Sequence, residues 1–88
     1  MKLKYDFVFQ PLGDIVAAVS VGDGAQDYSG VIQLNETGAE IMQMMLKDTT
    51  VDEMVAILKK EYEAPDDMLR QAVEDLIVKL RQEKVLDE

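Results

Sequence analysis

The side chains of this 88-residue chain that could do chemistry are carboxylates. Histidine and cysteine are both absent, which excludes the common zinc sites, a histidine-based triad and a thiol nucleophile. Acidic residues occur in adjacent pairs, Asp66 with Asp67 and Glu74 with Asp75, but adjacent residues on a helix point in different directions. We therefore predict no catalytic residue, no metal and no cofactor. The first pair is better explained as negative charge at a helix N-terminus.

A glycine-containing segment, "GDGAQDYSG" at 22–30, resembles a ligand-binding loop only superficially. It lacks the lysine of a phosphate-binding G-x-x-x-x-G-K-[ST] loop, and its acidic residues do not follow the order of a calcium loop. We interpret it as a connection between two strands, in which glycine permits the chain reversals.

Composition limits the possible classes of function. A hydrophobic fraction of 48% indicates a folded protein, and the length suits one domain spanning 1–88. The net charge of −9 disfavours nucleic acid as a partner. No segment is long and apolar enough to predict a signal peptide or a membrane span, and the lack of cysteine fits a reducing compartment. We expect a cytoplasmic protein that binds neither membrane nor nucleic acid.

The first half of the chain has the alternation and the β-branched and aromatic residues of strands. Three such segments are "YDFVFQ" at 5–10, "DIVAAVSV" at 14–21 and "VIQL" at 31–34. Between the first two, "PLGD" predicts a turn with Pro11 at its fixed-φ position. Because consecutive short strands usually pair with one another, we predict an antiparallel three-stranded meander.

The second half changes to helical spacing. Asn35 is a good N-cap for a first helix, Thr50 and Glu53 form a capping box for a second, and Pro65 precedes a third. Their apolar stripes are Gly38, Ile41, Met42 and Met45; Val51, Val55, Leu58 and Tyr62; and Leu69, Val73, Leu76 and Leu80. We expect most of the methionines in the core and Met44, which lies off its stripe, at the surface. The predicted fold class is α+β, a three-stranded antiparallel sheet followed by three helices, as in a winged helix-turn-helix.

The strand Val31–Leu34 is the candidate for binding. Alternation places Ile32 and Leu34 in the core, and the last strand of a meander lies at an edge of the sheet. Its sequence has no lysine, proline or inward charge to protect that edge. Such an edge accepts an extended peptide as an added strand, or it pairs with a second copy in a homodimer. We expect Gly38 to let the first turn of the following helix pack tightly against this strand.

The winged-helix architecture also raises the alternative of a regulatory protein that acts through DNA or an acidic interface. On the third helix and just after it, five acidic residues outnumber the four basic ones, Arg70, Lys79, Arg81 and Lys84. A recognition helix needs a basic exposed face, so the charges disfavour reading of the major groove.

Three segments of the chain carry a family resemblance. The strand-to-helix pattern L-N-[ED]-T-[AG]-x-x-[IL] is matched by Leu34, Asn35, Glu36, Thr37, Gly38 and Ile41. The helix start T-[TV]-x-E-[IL] is represented by Thr50, Val51, Glu53 and Met54. The pattern D-V-x-x-[FL]-[LI]-x-x-L-x-x-x-G-L is matched at Val73, Leu76, Ile77, Leu80 and Val85, with Ala72 and Lys84 in place of the usual aspartate and glycine. Together these segments resemble the PqqD-like family, also called the RiPP recognition element.

The resemblance implies a function. Members of this family are non-catalytic and bind the leader segment of a ribosomally made precursor peptide as an extra strand. They present it to a modifying enzyme, often a radical SAM (S-adenosylmethionine) maturase. For this sequence the resemblance implies peptide-binding residues on the strand and on the third helix, some of the helix residues being core instead: Val31, Ile32, Gln33, Leu34, Leu69, Arg70, Val73, Leu76 and Ile77. Arg70 and Lys79 are expected to pair with acidic leader residues.

Overall fold

The computed structural model describes residues 1–22 and 30–88. The predicted connection at 22–30 falls mostly on residues 23–29, outside the described part of the chain. The described strands are β1 (Lys2–Leu3), β2 (Asp6–Leu12), β3 (Ile15–Val21), β4 (Val31–Leu34) and β5 (Leu86–Asp87). The described helices are α1 (Glu36–Met44), α2 (Val51–Glu61) and α3 (Asp66–Gln82).

The main sheet is the predicted antiparallel meander, in the order β2-β3-β4. The turn between its first two strands is shorter than predicted, because Pro11 continues β2 and pairs with Val16. Gly13 and Asp14 make the reversal, and Gly13 has the positive φ of 68° that glycine adopts without strain. The predicted turn therefore began two residues too early.

A second, two-stranded sheet joins the two ends of the chain, and the sequence patterns missed it. Strand β1 pairs antiparallel with β5, so that Leu3 lies opposite Leu86. The Leu3 amide also donates to the Met45 carbonyl at 2.8 Å, and the Lys4 amide donates to the Val85 carbonyl at 2.8 Å. Strands of two residues are too short to show alternation, so only the apolar character of Val85 and Leu86 was visible.

The helices pack against one face of the main sheet and bury the predicted stripes. Ile32 and Leu34 lie in the core, as do the apolar positions of α3: Leu69, Val73, Leu76, Ile77 and Leu80. Three methionines are fully buried. Met44, which was expected at the surface, is half-buried against the core, whereas Met68 on α3 is 61% exposed.

Side-chain caps begin α1 and α2 where the sequence predicts. Asn35 Oδ1 accepts from the Gly38 amide at 2.7 Å, and Thr50 Oγ1 accepts from the Glu53 amide at 3.1 Å. The second half of the predicted capping box is replaced, because Glu53 Oε2 accepts from Thr49 Oγ1 at 3.3 Å.

Helix α3 ends in a Schellman motif. The Lys84 amide donates to the Arg81 carbonyl at 3.0 Å, and the Val85 amide donates to the Leu80 carbonyl at 3.2 Å. Lys84 has a φ of 60°, a left-handed conformation that favours glycine. This geometry explains why the resembled pattern has glycine at this position. Among the described residues, no helix is long and apolar enough to cross a membrane.

Candidate functional site

A groove of about 320 Å³ runs between the β4–α1 junction and α3. One wall is the end of β4 and the first turns of α1, and the other is one face of α3. Its lining residues are Gln33, Leu34, Asn35, Thr37, Gly38, Ile41, Ala72, Asp75, Leu76 and Lys79. Five of the six residues that match the strand-to-helix pattern are in this lining.

The direction of the β4 backbone groups follows from Pro11. Residues of a hydrogen-bonded antiparallel pair exchange both N–H···O bonds, and Pro11 has no N–H, so Pro11 and Val16 form a non-hydrogen-bonded pair. Because the two kinds of pair alternate, Val16 directs its amide and carbonyl towards β4, where it pairs with Leu34.

The same alternation fixes the rest of β4. Ile32 and Leu34 bond to β3, whereas Val31 and Gln33 direct their backbone groups away from it. The outer side of β4 is not paired with any described strand. The free edge therefore offers the amides and carbonyls of Val31 and Gln33 beside the groove.

Lys79 connects the two walls, since its ammonium donates to the Gln33 carbonyl. Within the described lining, Lys79 and Asp75 are the ionisable side chains, one of each sign. The Asp75 carboxylate also accepts from Gln71 Nε2 at 2.8 Å. The groove is thus close to neutral in a chain of net charge −9.

Gly38 lies in the first turn of α1, next to Leu34 at the end of β4. A Cβ atom at this position would lie 3.0 Å from Asn35 Oδ1 and 3.6 Å from Leu34 Cβ. The contact with Asn35 Oδ1 would be tight, whereas the contact with Leu34 would be an ordinary van der Waals contact. The missing side chain therefore makes room for the cap, and the expected tight packing against the strand does not by itself require glycine. Gly38 also forms part of the groove wall.

Comparison with protein families gives one decisive result. The family model described as "Coenzyme PQQ synthesis protein D (PqqD)" matches residues 23–86, which include β4, all three helices and the Schellman motif. The chain belongs to the PqqD family. Comparison with curated proteins gives no match.

Comparison with solved structures shows the same fold in TbiB1, whose structure was determined in complex with the TbiA(beta) leader peptide. The match has a TM-score of 0.71 and covers 99% of this chain and 95% of that chain. Because the sequence identity is 18%, this likeness concerns the fold. The α+β fold predicted from the sequence is confirmed for this PqqD-family chain.

The structure distributes the predicted peptide-binding residues over three environments. Gln33, Leu34 and Leu76 line the groove, and Val31 is 55% exposed on the strand next to it. Buried in the core are Ile32, Leu69, Val73 and Ile77. The side chains of this second group belong to the hydrophobic core and do not line the groove, while Ile32 contributes its backbone to the β3–β4 ladder.

Arg70 faces away from the groove of this PqqD-family chain, towards the start of α2. Its guanidinium donates to Asp52 Oδ1 at 2.8 Å, and its Nε lies 3.6 Å from Asp66 Oδ2. The hydrogen bond to Asp52 and the nearby charges of Asp52 and Asp66 raise the pKa of Arg70. Lys79, the other basic residue expected to meet the peptide, does line the groove.

Several groove residues were absent from the predicted set: Asn35, Thr37, Gly38, Ile41, Ala72 and Asp75. Helical spacing contains part of the missing signal. Ala72, Leu76 and Lys79 recur at four and three residues, so that the groove face of α3 can be found by stepping from Leu76. The residues on α1 needed the tertiary structure, because the sequence spacing of α1 does not show which of its residues lie beside α3.

A pair of carboxylates, Glu61 and Glu40, interacts outside the groove. A hydrogen bond with the Glu40 side chain, together with its charge, raises the pKa of Glu61. Glu40 Oε1 also accepts from the Tyr62 hydroxyl at 2.9 Å. Because Glu61 is exposed, this pair lacks the burial on which catalytic carboxylates rely. Among the described residues, no group of three or more acidic residues is placed to hold a metal ion.

Proposed function

We propose that this protein is a non-catalytic adaptor that binds the leader segment of a ribosomally made precursor peptide by strand addition to β4. The observation that carries the proposal is the free edge of β4, where Val31 and Gln33 direct their backbone groups outward beside the groove. An added strand obtains its affinity from such main-chain hydrogen bonds, and pockets for alternate side chains give it specificity.

Membership of the PqqD family and the fold shared with TbiB1 support this proposal. TbiB1 was solved with a leader peptide bound, and we carry that ligand class over to this chain. The groove suits it, because apolar walls from Leu34, Ile41 and Leu76 are combined with few charges.

An adaptor of this kind delivers its peptide to an enzyme. We propose a peptide-modifying enzyme as the second partner, and a radical SAM maturase as its specific class, on the basis of the family resemblance. The adaptor itself needs no cofactor or metal for this function. The sequence supports the non-catalytic assignment, since it contains no histidine or cysteine.

Isothermal titration tests the proposal with synthetic peptides that cover the N-terminal segments of short precursors encoded beside the gene. We expect one of them to bind. If none of them binds, either alone or with the neighbouring modifying enzyme present, the proposal is wrong.

A groove-filling variant locates the site. Ala72 is a half-buried residue of the groove wall on α3, and Ala72→Arg places a long side chain there with a residue of good helix propensity. Gln82→Arg makes the same charge change at the exposed end of the helix. We expect the first variant to lose peptide binding and the second to retain it, with both folded by circular dichroism. Equal binding by the two variants would place the peptide elsewhere.

A further inference from the structure

A side chain from another element donates a hydrogen bond to the outer edge of β4. Lys79 lies on α3, and its ammonium donates to the Gln33 carbonyl, which is one of the two carbonyls that β4 directs outward. Lysine on or near an edge strand is a common means by which proteins prevent unwanted strand pairing. The sequence of β4 itself contains no such residue, and in the structure Lys79 supplies one from α3.

An added strand and this ammonium compete for the same place. Neighbouring strands lie about 4.8 Å apart, and the gap between them is filled by their hydrogen bonds. An ammonium within hydrogen-bond distance of the Gln33 carbonyl lies inside that gap. A peptide amide that pairs with Gln33 therefore requires Lys79 to move away.

Movement of Lys79 is structurally easy. The side chain is exposed and has four rotatable carbons, so it leaves the carbonyl without any change in α3. Asp75 lies one turn earlier on the same groove wall, at the i,i+4 spacing at which opposite charges meet. A displaced ammonium thus has a carboxylate within reach.

We propose that Lys79 is a guard of the β4 edge, which occupies the Gln33 carbonyl in the free protein and is displaced when a peptide strand binds. This inference rests on the proposed function for its second half, the displacement by peptide. Its first half, the occupied carbonyl, concerns the free protein and is testable without any peptide.

The test compares three variants. Lys79→Met keeps an unbranched side chain and good helix propensity but removes the donor. Lys79→Arg keeps a charged donor at the same position. Lys60→Met, at an exposed position on α2, makes the same change of charge away from the groove.

The first measurement is the carbonyl carbon chemical shift of Gln33 by NMR in the free proteins. We expect Lys79→Met to move this resonance in the direction of a lost hydrogen bond, while Lys60→Met and Lys79→Arg leave it close to the wild-type value. A resonance that does not move in Lys79→Met overturns the proposal.

The second measurement is affinity for fluorescein-labelled peptides that cover the N-terminal segments of the neighbouring precursors. Removal of one competing charged hydrogen bond is expected to tighten binding to Lys79→Met by about tenfold relative to Lys60→Met. Weaker binding would identify Lys79 as a peptide contact, and unchanged binding would show that it does not compete. Either result overturns the guard. If the wild type binds no peptide, the proposed function fails, while the Gln33 resonance still decides whether Lys79 holds the edge.

Discussion

The substitution Gln33→Pro distinguishes the outer edge of β4 from the side that pairs with β3. The Gln33 amide points away from β3, so Gln33→Pro removes a donor from the free edge and none from the β3–β4 ladder. Proline is tolerated on edge strands in this orientation. At the preceding residue the expectation is reversed, because the Ile32 amide belongs to the ladder and its side chain is only 2% exposed.

The expected free energies differ enough to be distinguished. For Gln33→Pro we expect a loss of about 1 kcal/mol in stability, mainly from the fixed φ of proline in an extended strand. For Ile32→Pro the loss of a buried aliphatic side chain contributes about 2–5 kcal/mol, and the lost ladder bond adds about 1 kcal/mol. The second sum, about 3–6 kcal/mol, reaches the lower end of the stability of a small domain, which is about 5–15 kcal/mol. Gln33→Pro should therefore fold, and Ile32→Pro should be largely unfolded.

Urea titration followed by circular dichroism measures the stabilities, and isothermal titration measures peptide affinity. Gln33→Ala is the matched control, since it also removes the glutamine side chain from the groove but keeps the amide. We expect Gln33→Pro to bind at least about fivefold more weakly than Gln33→Ala, which corresponds to one main-chain hydrogen bond. If Gln33→Pro unfolds, the assignment of the outward amide is wrong. If it binds as tightly as Gln33→Ala, the peptide does not pair with this edge.

Three further predictions concern stability. Lys84→Gly should raise the free energy of unfolding by about 1 kcal/mol, because glycine adopts the left-handed conformation at the end of α3 without strain. Lys84→Ala should give no gain. Thermal and urea unfolding measure both variants, and a loss of stability with glycine would contradict this prediction. Thr50→Ala should lower stability by about 1 kcal/mol, because the Glu53 amide loses its cap, and unchanged urea midpoints would refute this. The hydrogen bond with Glu40 raises the pKa of Glu61. Protonation of Glu61 therefore stabilises the folded protein fully below the ordinary pKa of 4.5, and this stabilisation is lost as the pH rises through the raised pKa. Glu61→Gln should remove this dependence. Urea unfolding at several pH values just above 4.5 should then show that the free energy of unfolding changes less with pH in the variant than in the wild type.

Local patterns predicted the three-stranded meander and the three helices because these elements carry turn, cap or periodicity signals, whereas the two-residue strands β1 and β5 carry none. The N-cap Asn35 and the capping Thr50 have the partners that the sequence indicates, and the apolar stripes of the helices are buried. The errors occur where local preference and tertiary structure disagree. Pro11 has the sequence context of a turn, but it lies opposite Val16 in a pair that needs no amide, so β2 continues through it.

The candidate site was less predictable than the fold because it depends on contacts between elements. Helical spacing on α3 selects a stripe, but it does not say which stripe residues face the core and which face β4. Leu69, Val73 and Ile77 are buried, whereas Leu76 is buried and also lines the groove. The hydrogen bond from Lys79 to the Gln33 carbonyl could not be predicted for the same reason, since the two residues are 46 positions apart in the chain.

Residues of the strand-to-helix pattern both stabilise the β4–α1 junction and line the groove beside the proposed binding edge. Leu34 ends β4 in the core, Asn35 caps α1, and Gly38 donates its amide to that cap and leaves room for the cap oxygen. These contacts fix the point at which the free edge ends. They also place Thr37 and Ile41 opposite α3, where they form the groove wall. The junction that ends β4 and begins α1 therefore also shapes the groove beside the proposed binding edge.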